Sequence, residues 1–117
     1  MTVLIADQNP SFRRVVRKLL EADEKIGTVW EADDGEKAFE LAREFRPDLV
    51  LMEMSLPRVS GLEATRMIKK LEANVQVIIM GEYTEPIYRQ AAIRSGADAF
   101  IPKSKIQRLG LRSSVFR

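Results

Sequence analysis

The chain has 117 residues, 45% of them apolar and 31% charged, a balance that fits one globular domain and excludes a disordered, fibrous or membrane-spanning chain. It contains no cysteine and no histidine, which excludes a disulfide framework, thiolate chemistry, and the commonest metal ligand and general base. Residues 103–117 carry five basic side chains and no acid, so the net charge of +2 leaves residues 1–102 at −3. That asymmetry fits a solvated last helix on a mildly acidic body better than a nucleic-acid-binding surface.

No apolar run reaches bilayer-spanning length, and Met1 leads straight into a strand pattern without a signal peptide. One cytoplasmic domain over residues 1–117, with no membrane contact, is expected. Val3-Leu4-Ile5 forms the first apolar run, and Asn9 is placed to cap a helix that opens on Pro10. Phe12, Val15, Val16, Leu19 and Leu20 then recur at helical spacing, with Arg13, Arg14, Arg17 and Lys18 on the opposite, solvated side. A second strand is centred on Thr28-Val29-Trp30. Asp33 and Glu36 have capping-box spacing before a stripe of Ala38, Leu41, Ala42 and Phe45 that Pro47 ends.

Leu49 to Met52 is apolar without alternation, the pattern of a strand covered on both faces and therefore of a parallel sheet. It runs into Glu53 and a proline loop at Pro57. Ser60 and Glu63 have capping-box spacing before Ala64, Met67, Ile68 and Leu71. Val75 to Met80 is a fourth strand, and Thr84 is placed to cap a helix over Ile87, Ala91 and Ala92 that stops at Gly96. Ala99-Phe100-Ile101 is the fifth strand, and Ser104 with Gln107 offers a capping box for a last helix over 104–117, in which Gly110 intervenes and Ile106, Leu109, Val115 and Phe116 recur without regular helical spacing. Strands alternating with helices specify a three-layer, doubly wound α/β sheet with right-handed crossovers.

In such a sheet the carboxyl ends of the strands share one edge, where ligands and chemistry collect. Asp7, Glu53, Gly81 and Lys103 all fall there. Carboxylates brought so close repel, and they persist if a cation lies between them, either a hard metal such as Mg²⁺ or the ammonium of Lys103.

Ile5 to Pro10, Pro47 to Pro57 with Gly61, and Gly96 to Lys103 together resemble the receiver domain of two-component response regulators. The resemblance runs from Met1 to about Lys103 in several ordered motifs. It implies a flavodoxin-like (CheY-like) fold of five parallel strands in the order 2-1-3-4-5, and a non-enzymatic phosphoryl switch. In that family an acidic pair after strand one helps bind Mg²⁺. An aspartate after strand three takes the phosphoryl group from a sensor histidine kinase. A hydroxyl residue after strand four and a lysine after strand five hold its oxygens, and an aromatic residue on strand five, here Phe100, reports the change. A signalling protein or an output domain is the implied partner, and homodimerisation through helix four, strand five and helix five comes from the resemblance alone.

Three positions depart from the family pattern. Gln8 stands at the second acid, Glu53 at the phosphoacceptor position and Gly81 at the hydroxyl position; Asp7 and Lys103 match. Glutamate carries its carboxylate farther out by one C–C bond, about 1.5 Å, and a displacement of about 1 Å can cost on the order of a hundredfold in rate. Gln8 removes one negative charge from the Mg²⁺ site, and Gly81 has no side chain to donate a hydrogen bond.

The expectation is an atypical receiver with weak or absent Mg²⁺ that works by phosphorylation-independent protein contact. The alternative is a working phosphoacceptor, with an engineered aspartate-to-glutamate change at 53 as a related case. Phe100-Ile101-Pro102-Lys103-Ser104 also resembles receivers joined to LuxR-type DNA-binding domains, although no DNA-binding helix pair lies within these residues. A flavin-binding enzyme is disfavoured, because Asp7-Gln8-Asn9-Pro10 has no glycine-rich phosphate loop.

Overall fold

The computed structural model describes residues 1–106. Five strands and four α-helices alternate along them: β1 (Val3–Ala6), α1 (Pro10–Glu21), β2 (Val29–Ala32), α2 (Gly35–Phe45), β3 (Leu49–Glu53), α3 (Gly61–Leu71), β4 (Gln76–Gly81), α4 (Pro86–Arg94) and β5 (Ala99–Pro102), followed by a short 3₁₀ turn at Lys103–Lys105. All strand pairs are parallel and the order is β2-β1-β3-β4-β5, as expected. No helix among the described residues is long and apolar enough to cross a membrane.

β3 sits at the centre and all five of its residues are buried. Successive side chains point to opposite faces of a strand, so the sheet feeds two separate cores. Leu4, Ala6, Val50, Met52, Val77, Ile79 and Phe100 face Ala38, Ala42, Ala64, Ile68 and Ala92, which come from α2, α3 and α4. Val3, Ile5, Leu49, Leu51, Ile78, Met80 and Ile101 face Val16 and Leu20 of α1 together with Ile106. The unbroken apolar run at 49–52 is what this double cover requires.

Helix starts agree with the sequence at two places and correct it at two. Asn9 caps α1, its side chain accepting from the backbone N–H groups of Ser11 and Phe12. Ser60 caps α3, with Oγ accepting from the N–H of Glu63 at 3.1 Å. α2 is capped by Asp34, which accepts from the N–H of Lys37 at 2.7 Å; Asp33 is not the cap. The cause is tertiary: a Cβ on Gly35 would stand 1.8 Å from the carbonyl oxygen of Val59, so only glycine fits there and the helix begins at it. The N-cap position of α4 falls on Glu85 rather than Thr84, with no side-chain capping hydrogen bond, because Pro86 takes the first helical position and holds the residue before it extended.

The apolar stripes also lose their ends. Val15, Phe45 and Leu71 are exposed although each lies on the expected side of its helix. Phe45 instead stacks on Trp30, ring centroids 4.8 Å apart. The basic side of α1 is only partly solvated, since Arg13 and Arg17 both reach Glu31, at 2.8 and 3.1 Å. Of the expected last helix, residues 103–105 form the 3₁₀ turn and Ile106 is buried. Gln107, Leu109, Val115 and Phe116 lie outside the described residues.

Candidate functional site

Four strand ends bring the site together. β1 delivers Asp7, β3 ends on Glu53, β4 ends on Gly81 and β5 leads into Lys103. The register fixes their spacing, with Ala6 paired to Met52, Glu53 to Met80 and Gly81 to Pro102. The loop after β3 folds back over this edge. The N–H of Gly61 donates to the carbonyl of Met54 at 2.9 Å, and a Cβ on Gly61 would come within 1.8 Å of the carbonyl oxygen of Glu53. No larger residue would let the loop lie so close.

Asp7 is fully buried. Its Oδ1 accepts from the N–H of Asn9 at 2.9 Å, and Lys103 Nζ lies 2.7 Å from its Oδ2. Glu53 accepts from the N–H of Gln8 on Oε1 at 3.0 Å, while Oε2 faces Lys103 Nζ at 3.5 Å. The Lys103 side chain is only 10% exposed and that of Glu53 9%. Asp7, Glu53 and Lys103 therefore converge as the sequence suggested. Gln8 joins through its backbone N–H and also borders a groove of about 650 Å³ shared with Met54, Leu62, Ile87 and Tyr88. Gly81 stands at the same edge but packs against Phe100.

Three participants were missed in the sequence. Glu82 places Oε1 3.4 Å from Lys103 Nζ while remaining 65% exposed. It directly follows the last residue of β4, and the strand-end logic that selected Gly81 covers it equally. Phe12 lies under the ammonium, 4.3 Å from ring centroid to Nζ, although its helical spacing marks it only as core. Arg13 donates to the backbone carbonyl of Asp7 and ties α1 to the site.

Burial pushes the Glu53 carboxyl above its ordinary value of 4.5; the Asp7 charge adds to this, and the Gln8 N–H and Lys103 oppose it. For Lys103, burial alone would lower the pKa from 10.5, but the close approach and charge of Asp7, with Glu53 and Glu82, outweigh it and hold the ammonium above that value. The amine is thus a firmly protonated cation seated among three carboxylates. A hard dication wants several free oxygen donors around one point. Here the free oxygens of Asp7 and Glu53 both face Lys103, Glu53 Oε1 is taken by a backbone N–H, and Gln8 is neutral. Among the described residues no group of three acidic side chains is placed to hold a metal ion. In this arrangement the ammonium of Lys103 faces Glu53 Oε2 and Asp7 Oδ2, a buried oxygen that makes no hydrogen bond.

A family model of the response regulator receiver domain matches residues 3–113. The chain belongs to the response regulator receiver family. This receiver is 38% identical over 105 residues to protein-glutamate methylesterase/protein-glutamine glutaminase 4 of Myxococcus xanthus, covering 88% of the chain and 30% of that protein. It is 34% identical over 101 residues to chemotaxis protein CheY of Halobacterium salinarum, covering 86% of the chain and 82% of that protein. Among solved structures it matches the signal receiver domain of the putative response regulator NarL from Mycobacterium tuberculosis, with a TM-score of 0.86, 28% identity, and 92% of this chain and 86% of that one covered. The chain spans from 30% to 50% of the length of the first curated relatives that it matches. The receiver is a signalling domain of two-component systems with the flavodoxin-like fold.

Proposed function

We propose that this receiver signals by protein contact and does not run a phosphorylation cycle. Glu53 occupies the phosphoacceptor position, Asp7 and Gln8 the metal positions, and Gly81 and Lys103 the phosphoryl-contact positions. The observation that carries the reading is the occupation of Glu53: one carboxylate oxygen accepts the Gln8 N–H and the other faces Lys103. An acceptor oxygen needs freedom to attack in line and a dication to offset charge on the incoming phosphate. Lys103 takes the cation's place between Asp7 and Glu53, so the site rests in one state and the domain is not an enzyme. Titration calorimetry with Mg²⁺ on the purified chain tests this. No saturable binding is expected at millimolar Mg²⁺; stoichiometric binding would overturn the reading.

A second reading keeps Glu53 as a working acceptor that takes a phosphoryl group from a sensor histidine kinase as an acyl phosphate. Asp7 and Lys103, which match the family pattern, favour it. Under either reading the partner is another signalling protein or an output domain. Two relatives support an output domain of the DNA-binding kind. Transcriptional regulatory protein DegU of Brevibacillus brevis is 30% identical over 101 residues, with 86% of this chain and 43% of that protein covered. A LuxR-family response regulator from Aurantimonas sp. SI85-9A1 has a TM-score of 0.82 at 31% identity, with 88% of this chain and 74% of that one covered. In that case DNA would be bound by the attached domain and not by the receiver. Self-association through α4, β5 and the segment after it belongs to the same proposal.

A further inference from the structure

Gly81 ends β4 beside β5, and its backbone does not need glycine. Among the described residues only Gly96 has a glycine φ in the left-handed region, at 101°. What Gly81 supplies is space. A Cβ built on it would stand 2.7 Å from Cε1 and 2.8 Å from Cζ of Phe100, against about 3.5–4.0 Å for carbon atoms in contact. The Phe100 ring therefore occupies the place where any other side chain at 81 would begin. That ring is 4% exposed and belongs to the core shared with Ala92 and Tyr88. Its outer side is covered by the Arg89 guanidinium, 5.5 Å from the ring centroid. Gly81 also borders a gap of about 50 Å³ that it shares with Glu53, Tyr83 and Tyr88. No side chain at position 81 spans that gap to join Glu53 to the ring.

We propose that Gly81 is the positioning residue for Phe100. Having no side chain, it admits the ring to a buried seat against β4 and uncouples it from the charges around Lys103. This goes beyond the reading of the acidic site and stands whether or not Glu53 accepts a phosphoryl group.

NMR of the chain with isotope-labelled phenylalanine tests the proposal. In the wild type, nuclear Overhauser contacts between the Phe100 ring protons and the Gly81 Hα protons are expected, with a single set of ring shifts. Gly81→Ala is expected to abolish those contacts and move the ring resonances toward solvent-exposed values. Adding Phe100→Leu to Gly81→Ala removes the colliding Cε1 and Cζ atoms, and the melting temperature of the double variant is expected to fall by less than the two single losses together. A wild-type ring without Gly81 contacts, a ring that keeps its resonances in Gly81→Ala, or fully additive losses in the double variant would each overturn it. If Gly81→Ala does not fold, the wild-type contacts and the folding of the double variant still decide.

Discussion

Lys103 Nζ stands 2.7 Å from Asp7 Oδ2, with the lysine side chain 10% exposed and the aspartate fully buried. Pairs exposed to water contribute about 0–1 kcal/mol, whereas removing one partner of a buried pair leaves an uncompensated charge and costs about 3–5 kcal/mol. Lys103→Met keeps much of the side-chain volume and leaves Asp7, Glu53 and Glu82 without their shared cation. A loss of about 3–5 kcal/mol in urea unfolding at neutral pH is expected. A loss under about 1 kcal/mol would mean that solvent already screens the pair.

The raised pKa of Glu53 sets a direction for stability against pH. Burial first, then the charge of Asp7, makes the folded chain hold this proton more tightly than the unfolded chain, whose carboxyl titrates near the ordinary 4.5. Above that pH the folded state binds more protons at this position, so stability falls as pH rises through the raised value. Glu53→Gln removes the titration. The difference in unfolding free energy, wild type minus Glu53→Gln, should decline from about pH 4.5 upward and then level off. A difference that grows with pH across this window would contradict the burial of Glu53.

Lys103 gives the opposite end of the profile. Its own burial lowers the pKa, and Asp7, Glu53 and Glu82 together raise it above 10.5. The stability it contributes is fully present below that value and is lost as pH rises through the folded pKa. Wild type and Lys103→Met should therefore converge in stability at strongly alkaline pH, read by chemical unfolding. Parallel profiles would show that the amine does not carry the stabilisation.

Asp34 and Asp33 are neighbours with different roles. Only Asp34 accepts the N–H of Lys37. Asp34→Ala should cost about 1 kcal/mol in urea unfolding, the usual loss for a removed cap. The exposed Asp33→Ala should stay within about 0.5 kcal/mol. The reverse ranking would place the helix start where the capping-box spacing alone put it.

The difference between those two residues shows where sequence reading stops. The unbroken apolar run at Leu49–Met52 fixes a doubly covered central strand, and parallel strands force Asp7, Glu53 and Lys103 to one edge whatever the loops do. That much of the fold and site follows from local pattern. The start of α2 follows instead from Gly35 fitting against Val59, a contact between segments 24 residues apart that no local motif carries. The start of α4 is set by Pro86, whose fixed φ suits the first helical position, and the hydroxyl of Thr84 two residues earlier carries no cap. Glu82 and Phe12 escaped for a different reason. An exposed acid and an apolar stripe residue both look ordinary until Lys103 is placed between them.

Under the proposed function Glu53, engaged by the Gln8 N–H and facing Lys103, does not take up a phosphoryl group. Intact-mass analysis after incubation with acetyl phosphate and Mg²⁺ tests it most directly. The wild-type chain should show no added phosphoryl group. A stoichiometric, Mg²⁺-dependent gain of one group that is lost in Glu53→Gln would contradict it.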